Sequence, residues 1–165
     1  MMSRAEGNQA DRFSTEAHGP TREWPNRLAG WRGTTAADVR RMAVRHYRDL
    51  IAWQLADAFA TEVGELVHRS AAARDDVPYR TQILSAAESV ASNVAEGFLR
   101  YSPAEFARFL NYALGSLAEA ETRLQHGVRR GYFAAPATNA AQLLARRTLT
   151  AIIGLKKSQT SATRD

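Results

Sequence analysis

The chain contains no cysteine. Disulfides and thiolate metal sites are therefore excluded, and a reducing cytoplasm is the expected setting. No uninterrupted apolar run approaches the roughly 20 residues of a membrane span. The N-terminus also lacks the apolar segment of a secretory signal, so no membrane partner is expected. Four histidines are present, His18, His46, His68 and His126, and they do not pair at ligand spacing on a common face. Glu65–His68 is a single E-x-x-H, whereas di-iron chemistry in a bundle needs two such motifs and two further inward glutamates. Neither G-x-S-x-G nor a phosphate-cradling glycine loop occurs, and Ser85, Ser89 and Ser92 have no nearby histidine to act as base. These absences argue against an enzyme and against a bound cofactor.

What is present reads as one domain of 165 residues with 45% hydrophobic residues. The net charge of +5 hides little in a simple split at Tyr47. Residues 1–46 hold eight arginines against five acids, and residues 47–165 hold fourteen basic residues against twelve acids. Charge alone points only weakly to an anionic partner.

Residues 1–40 carry Gly7, Gly19, Pro20, Pro25, Gly30 and Gly33 with scattered apolar residues and no helical or strand period. They read as a flexible extension. Trp24 and Trp31 with Arg22, Arg27 and Arg32 have the composition of a short binding segment, but a disordered leader or an over-called start site is the preferred reading of them. From about residue 41 to residue 158 the pattern is helical, and residues 159–165 read as a disordered tail.

The fold class read from this pattern is all-α, an antiparallel up-down four-helix bundle with helices at about 47–70, 78–100, 103–130 and 136–157. Leu55, Phe59, Val63 and Leu66 form the first apolar stripe. Tyr79, Ile83, Ala86, Ala87, Val90 and Val94 form the second, with Asp76 as cap and Pro78 in the first turn. Phe106, Leu110, Ala113, Leu117, Ala120 and Leu124 form the third. Ser102, Pro103 and Glu105 predict a capping box at its start, and Gly131 after Arg129–Arg130 predicts its end. Leu144, Thr148, Ile152 and Leu155 carry the fourth. Short connections make such helices antiparallel neighbours.

Apolar residues outside these stripes predict self-association, or else cover by the N-terminal extension. They are Leu50, Trp53 and Val67 on the first helix, Leu84, Ala91, Ala95 and Phe98 on the second, and Leu143, Leu149 and Ile153 on the fourth. Leu50, Trp53 and Tyr112 are the expected interface residues. Gly115 lies opposite the core stripe in mid-helix, where glycine costs about 0.5–1 kcal/mol relative to alanine, and suggests close approach of another backbone or a ligand. Within the second helix Asn93 and Glu96 predict partnered groups fixing the third helix, with Gly97 permitting the approach. Glu96 falls within one turn of Arg108 and also four residues before Arg100, the favoured order for a helical pair. Candidate phosphate contacts are Arg100, Arg108, Arg129, Arg130, Arg146, Arg147, Lys156 and Lys157. Each is equally an ordinary solubilising charge, and repetition around a ring would multiply a weak patch.

Three segments carry a resemblance: "YRDLIAWQLADAFATEV" (Tyr47–Val63), "SVASNVAEGFLRYSPAEFARFLNYALGSLAEAETRL" (Ser89–Leu124) and "GYF" (Gly131–Phe133). Over about residues 45–157 the chain resembles the four-helix-bundle proteins encoded in intervening sequences of bacterial large-subunit ribosomal RNA genes. It also resembles, more broadly, the accessory variability-determinant protein of diversity-generating retroelements. The matching blocks are S-N-x-A-E-G at Ser92, Asn93, Glu96 and Gly97, and G-S-L-x-E at Gly115, Ser116, Leu117 and Glu119. The resemblance implies a bundle assembled into a homo-oligomeric ring, a pentamer foremost. It further implies binding of RNA or DNA, alone or with a reverse transcriptase or other protein. The long N-terminal extension and the modest charge of the bundle depart from that pattern. A protein-interaction scaffold without nucleic-acid binding is the alternative.

Overall fold

The computed structural model of the protein describes residues 44–100 and 102–161. The expected extension over residues 1–40, with its tryptophans, lies outside them, as does the last part of the expected tail. Among the described residues every regular element is helical. A 3-10 turn at Tyr47–Asp49 leads into α1 (Ile51–Arg69). Then come a short α2 (Ala71–Asp75), α3 (Val77–Phe98) and α4 (Pro103–Arg129). A second 3-10 turn at Ala135–Thr138 precedes α5 (Asn139–Ser161). The four long helices pack as a square, with α1 against α3, α3 against α4, α4 against α5 and α5 against α1. The short connections make the neighbours antiparallel, so α3 and α5 lie on opposite corners.

Each apolar stripe read from the sequence faces the centre. Phe59, Val63, Ile83, Val90, Val94, Leu110 and Ile152 are fully buried, with Leu117 and Leu124 close behind. Burial of each such side chain contributes about 1.5–3 kcal/mol, and these contacts hold the helices together. Thr148, the polar member of the fourth stripe, is also fully buried, and its hydroxyl donates to Leu144 O at 2.8 Å on its own helix.

The helix ends follow their local chemistry with several departures from expectation. Asp76 caps α3 by accepting from Tyr79 N at 3.1 Å, with Pro78 in the first turn where its missing N–H costs nothing. The connection before it is not open loop: Ser70 Oγ accepts from Ala73 N at 3.2 Å and starts α2. At the end of α4, Gly131 adopts φ +74°, Gly131 N donates to Val128 O at 3.0 Å and Tyr132 N to Gly127 O at 2.8 Å. That paired arrangement satisfies the last carbonyls of the helix and needs a residue free of Cβ strain at Gly131.

The capping box expected at Ser102 does not form. Ser102 makes no side-chain cap bond, and the Glu105 carboxylate turns forward to Arg108 at 3.4 Å. Pro103 contributes no N–H, which leaves one donor fewer to satisfy there. The first helix starts at Ile51 rather than near residue 47, because Leu50 is extended (φ −72°, ψ 122°). α3 stops at Phe98, and α5 runs on to Ser161 past the expected end at Lys157.

Candidate nucleic-acid interface and the α3–α4 seam

Antiparallel packing brings the S-N-x-A-E-G and G-S-L-x-E blocks onto one seam between α3 and α4, where three levels of contact fix their register. At the lower level is Gly97. A Cβ there would lie 2.7 Å from Phe106 Cδ2 and 2.7 Å from Phe109 Cβ, so this glycine lets α4 approach. At mid-height Ser116 Oγ donates to Ser89 Oγ at 3.1 Å, and Asn93 Nδ2 donates to Ser89 Oγ at 3.0 Å and to Ser89 O at 2.8 Å. At the upper level Tyr79 OH donates to Arg123 O at 2.9 Å and occupies the space that a Cβ on Gly127 would need.

The upper level is the most polar. Asp76 Oδ2 accepts from Tyr132 OH at 2.7 Å and from Arg130 Nη1 at 3.1 Å. The Tyr132 hydrogen bond, then the Tyr79 backbone N–H and the Arg130 charge, hold the Asp76 carboxyl below its ordinary range against the opposing effect of burial. Burial chiefly pushes the Tyr79 hydroxyl up to about 12, with Tyr132 and Asp76 adding to the shift and Arg130 and Arg123 opposing it. Arg130 also stands 6.0 Å from the ring centroids of both Tyr79 and Tyr132. Asp76 and Tyr79 were legible as cap and core. Their joint contact with the turn after α4, and the buried Gly127, were not. The G-Y-F triplet is the only sequence signal for that contact.

Several expectations need correction here. Glu96 forms the expected pair with Arg100 four residues on but does not reach α4, where Arg108 pairs with Glu105. A guanidinium on the same helix satisfies each carboxylate first. Asn93 is partnered, but within α3, and the polar contact across the seam is made by Ser116 of α4, which donates to Ser89 of α3. Ser92 is exposed and donates to Glu88 O at 3.0 Å, and Glu119 pairs with Arg123 at 3.3 Å. Gly115 faces open space, with nothing within 4 Å of a Cβ placed on it, so among the described residues no backbone approaches there.

The apolar surplus is smaller than the sequence suggests. Leu50 is 8% exposed and Val67 is 2% exposed within the single chain. The expectation of an interface at Leu50 therefore loses its basis. The extended residue breaks the helical phase assumed for it, and α1 packs on both α3 and α5. Trp53 is half-buried against the core with its ring 5.3 Å from that of Tyr47. Leu143, Leu149, Ile153 and Tyr112 do stay exposed.

The eight candidate phosphate contacts do not converge on one spot. Arg129 and Arg130 close α4 at the Asp76 end, Arg100 and Arg108 lie at the other end of the α3–α4 hairpin, and Arg146, Arg147, Lys156 and Lys157 follow α5. Arg100, Arg108 and Arg130 are engaged by Glu96, Glu105 and Asp76. Arg129, Arg146 and Arg147 are exposed. A charge pattern that the split at Tyr47 concealed now stands out. Residues 122–164 contain eight Lys or Arg and no Asp or Glu, whereas residues 47–121 contain six Arg against eleven acids. α5 is thus a wholly cationic corner on a bundle otherwise net acidic. Among the described residues no three His, Asp or Glu side chains converge as a metal site, and no helix is long and apolar enough to cross a membrane.

The family model for 23S rRNA-intervening sequence protein matches residues 48–154, which hold α1, α3, α4 and α5 as far as residue 154. The chain belongs to that family. A similar solved structure is a protein of unknown function from the S23 ribosomal protein family of Bacteroides thetaiotaomicron. It is 22% identical with a TM-score of 0.58, over 65% of this chain and 99% of that one. At that identity the likeness concerns the fold. No curated protein matches the chain. For this member of the intervening-sequence family, the matched span lies within the bundle and leaves the first 47 residues outside it.

Proposed function

We propose that the protein is a non-enzymatic, homo-oligomeric bundle, foremost a pentameric ring, that binds RNA or DNA through the cationic α5 corner repeated by symmetry. The observation that carries this reading is the acid-free stretch over residues 122–164. Arg146 and Arg147 project from it into solvent, and the Lys156–Lys157 pair extends the charge along the same helix. Phosphate neutralisation releases counterions, so even a few such contacts per protomer multiply over a ring. The family name, which ties these chains to ribosomal RNA genes, supports the choice of nucleic acid among polyanions.

Titration of fluorescent structured RNA and DNA against the full chain at rising salt tests the reading, together with particle mass by light scattering. Binding whose log K falls linearly with log salt, by a particle heavier than one chain, is the expected result. No retention of either nucleic acid at low salt overturns it.

A second reading rests on Leu143, Leu149 and Ile153, which are 54%, 40% and 39% exposed on the same helix. Aliphatic surface between cations suits a protein-docking scaffold, and the retroelement resemblance adds a reverse transcriptase to the candidate partners. Capture of nucleic acid alone by the tagged protein, never of a protein, counts against it.

A further inference from the structure

Away from α5, the seam carries a second feature, built from aromatic rings and guanidinium groups. Phe109 and Tyr112 meet edge to face, with centroids 5.5 Å apart and planes at 84°. Arg108 Cζ stands 6.0 Å from both centroids, and Arg100 Cζ stands 4.9 Å from the Phe109 centroid. Phe109 is 8% exposed and belongs to the fold, but Tyr112 is 49% exposed. Three residues along α4, on the same face, Gly115 leaves open space where any other side chain would stand.

We propose that Tyr112, with Arg108 and Arg100, is a stacking platform for an unpaired nucleic-acid base. Three properties fit that ligand. An exposed phenol offers a planar face, and base–aromatic stacking tolerates any sequence because every base has a π surface. Arg108 and Arg100 supply flat cations beside the rings that can meet both a base and its phosphate. Gly115 clears the helix surface beside Tyr112, so a planar ring can lie flat against the backbone. This also accounts for a mid-helix glycine that no contact among the described residues requires. Glu96, Glu105 and Glu119 are carboxylates of the same two helices. Each is held by a guanidinium, from Arg100, Arg108 and Arg123 respectively. These exposed pairs are weak enough to exchange for phosphate.

The inference rests on the nucleic-acid reading above and specifies its substrate: single-stranded or looped regions in preference to plain duplex. Two probes separate the claims, an unstructured oligouridylate of about 12 nucleotides and a blunt RNA duplex of the same length. Each is titrated by fluorescence anisotropy against the full chain, with thermal melts to confirm folding. Tyr112→Ala should weaken oligouridylate binding about ten-fold and leave duplex binding unchanged, while Tyr112→Phe retains both. Arg146→Glu/Arg147→Glu should weaken both probes. If Tyr112→Ala binds oligouridylate as the parent does while the α5 variant does not, the platform is overturned and the α5 reading stands. If the parent protein binds neither probe, both fall. If Tyr112→Ala reduces particle mass with binding per protomer unchanged, Tyr112 is an oligomer contact and the platform is overturned.

Discussion

Tyr132 OH donates to Asp76 Oδ2 at 2.7 Å, tying the turn that ends α4 to the residue that caps α3. The two lie 56 positions apart in the chain, and the contact closes the upper end of the α3–α4 hairpin. The same carboxylate caps a helix, receives a phenol and faces a guanidinium, so its charge is part of the fold.

That charge makes stability depend on acid. The folded protein holds the Asp76 carboxyl below its ordinary value of 3.8. A depressed carboxyl contributes stability that is present above the unfolded value and lost as pH falls through the folded one. Asp76→Asn keeps an N-cap acceptor but removes the charge. Melts should show Asp76→Asn below the parent at pH 7, with the gap shrinking below pH about 4. A gap that stays constant with pH contradicts the assignment.

Tyr79 predicts the opposite end of the scale. Its hydroxyl is pushed up to about 12, above the ordinary 10.0, so it contributes stability that is present below pH 10 and lost as pH rises through 12. Tyr79→Phe should cost about 1 kcal/mol at neutral pH through the lost bond to Arg123 O. It should also flatten the alkaline decline of the parent, and an unchanged alkaline limb in melts would count against it.

The glycines give a prediction of sign. Gly97→Ala places a Cβ 2.7 Å from Phe106 and Phe109, and overpacking of that kind costs about 1–3 kcal/mol. Gly115→Ala meets nothing within 4 Å and gains about 0.5–1 kcal/mol of helix propensity. The two should shift the melting temperature by several degrees in opposite directions. Shifts of the same sign would mean the seam is not packed as described.

Leu50 separates burial from assembly. Buried at the start of α1, Leu50→Asp should lower stability by several kcal/mol, because an uncompensated charge is forced into the core. If instead the melting temperature holds and light scattering shows a lighter particle, Leu50 faces a neighbouring copy after all.

The sequence exposed the bundle because apolar spacing at Ile83–Val90–Val94 and Leu110–Leu117–Leu124 is a local property of each helix. It misplaced Leu50 because one extended residue resets the helical phase, which periodicity cannot register. It anticipated the close approach at Gly97, yet assigned the cross-helix polar contact to Glu96 instead of Ser116. Long charged side chains find partners one turn away before they reach another helix. The upper cluster of Asp76, Tyr132, Arg130 and Gly127 joins residues distant in sequence, and no spacing rule connects them. The acid-free run over residues 122–164 is fully visible in the sequence, but a net charge taken over residues 47–165 averages it against the acidic first half of the bundle.

The central claim is that α5 provides the polyanion contact. Binding of structured RNA to the full chain should be compared between the parent, Arg146→Glu/Arg147→Glu, and Arg129→Glu as a cation outside α5, at several salt concentrations. The account predicts that the α5 pair loses most of the affinity and reduces the salt slope by about two phosphate contacts per protomer, while Arg129→Glu costs less. Parent-like affinity and slope in the Arg146→Glu/Arg147→Glu variant would contradict it.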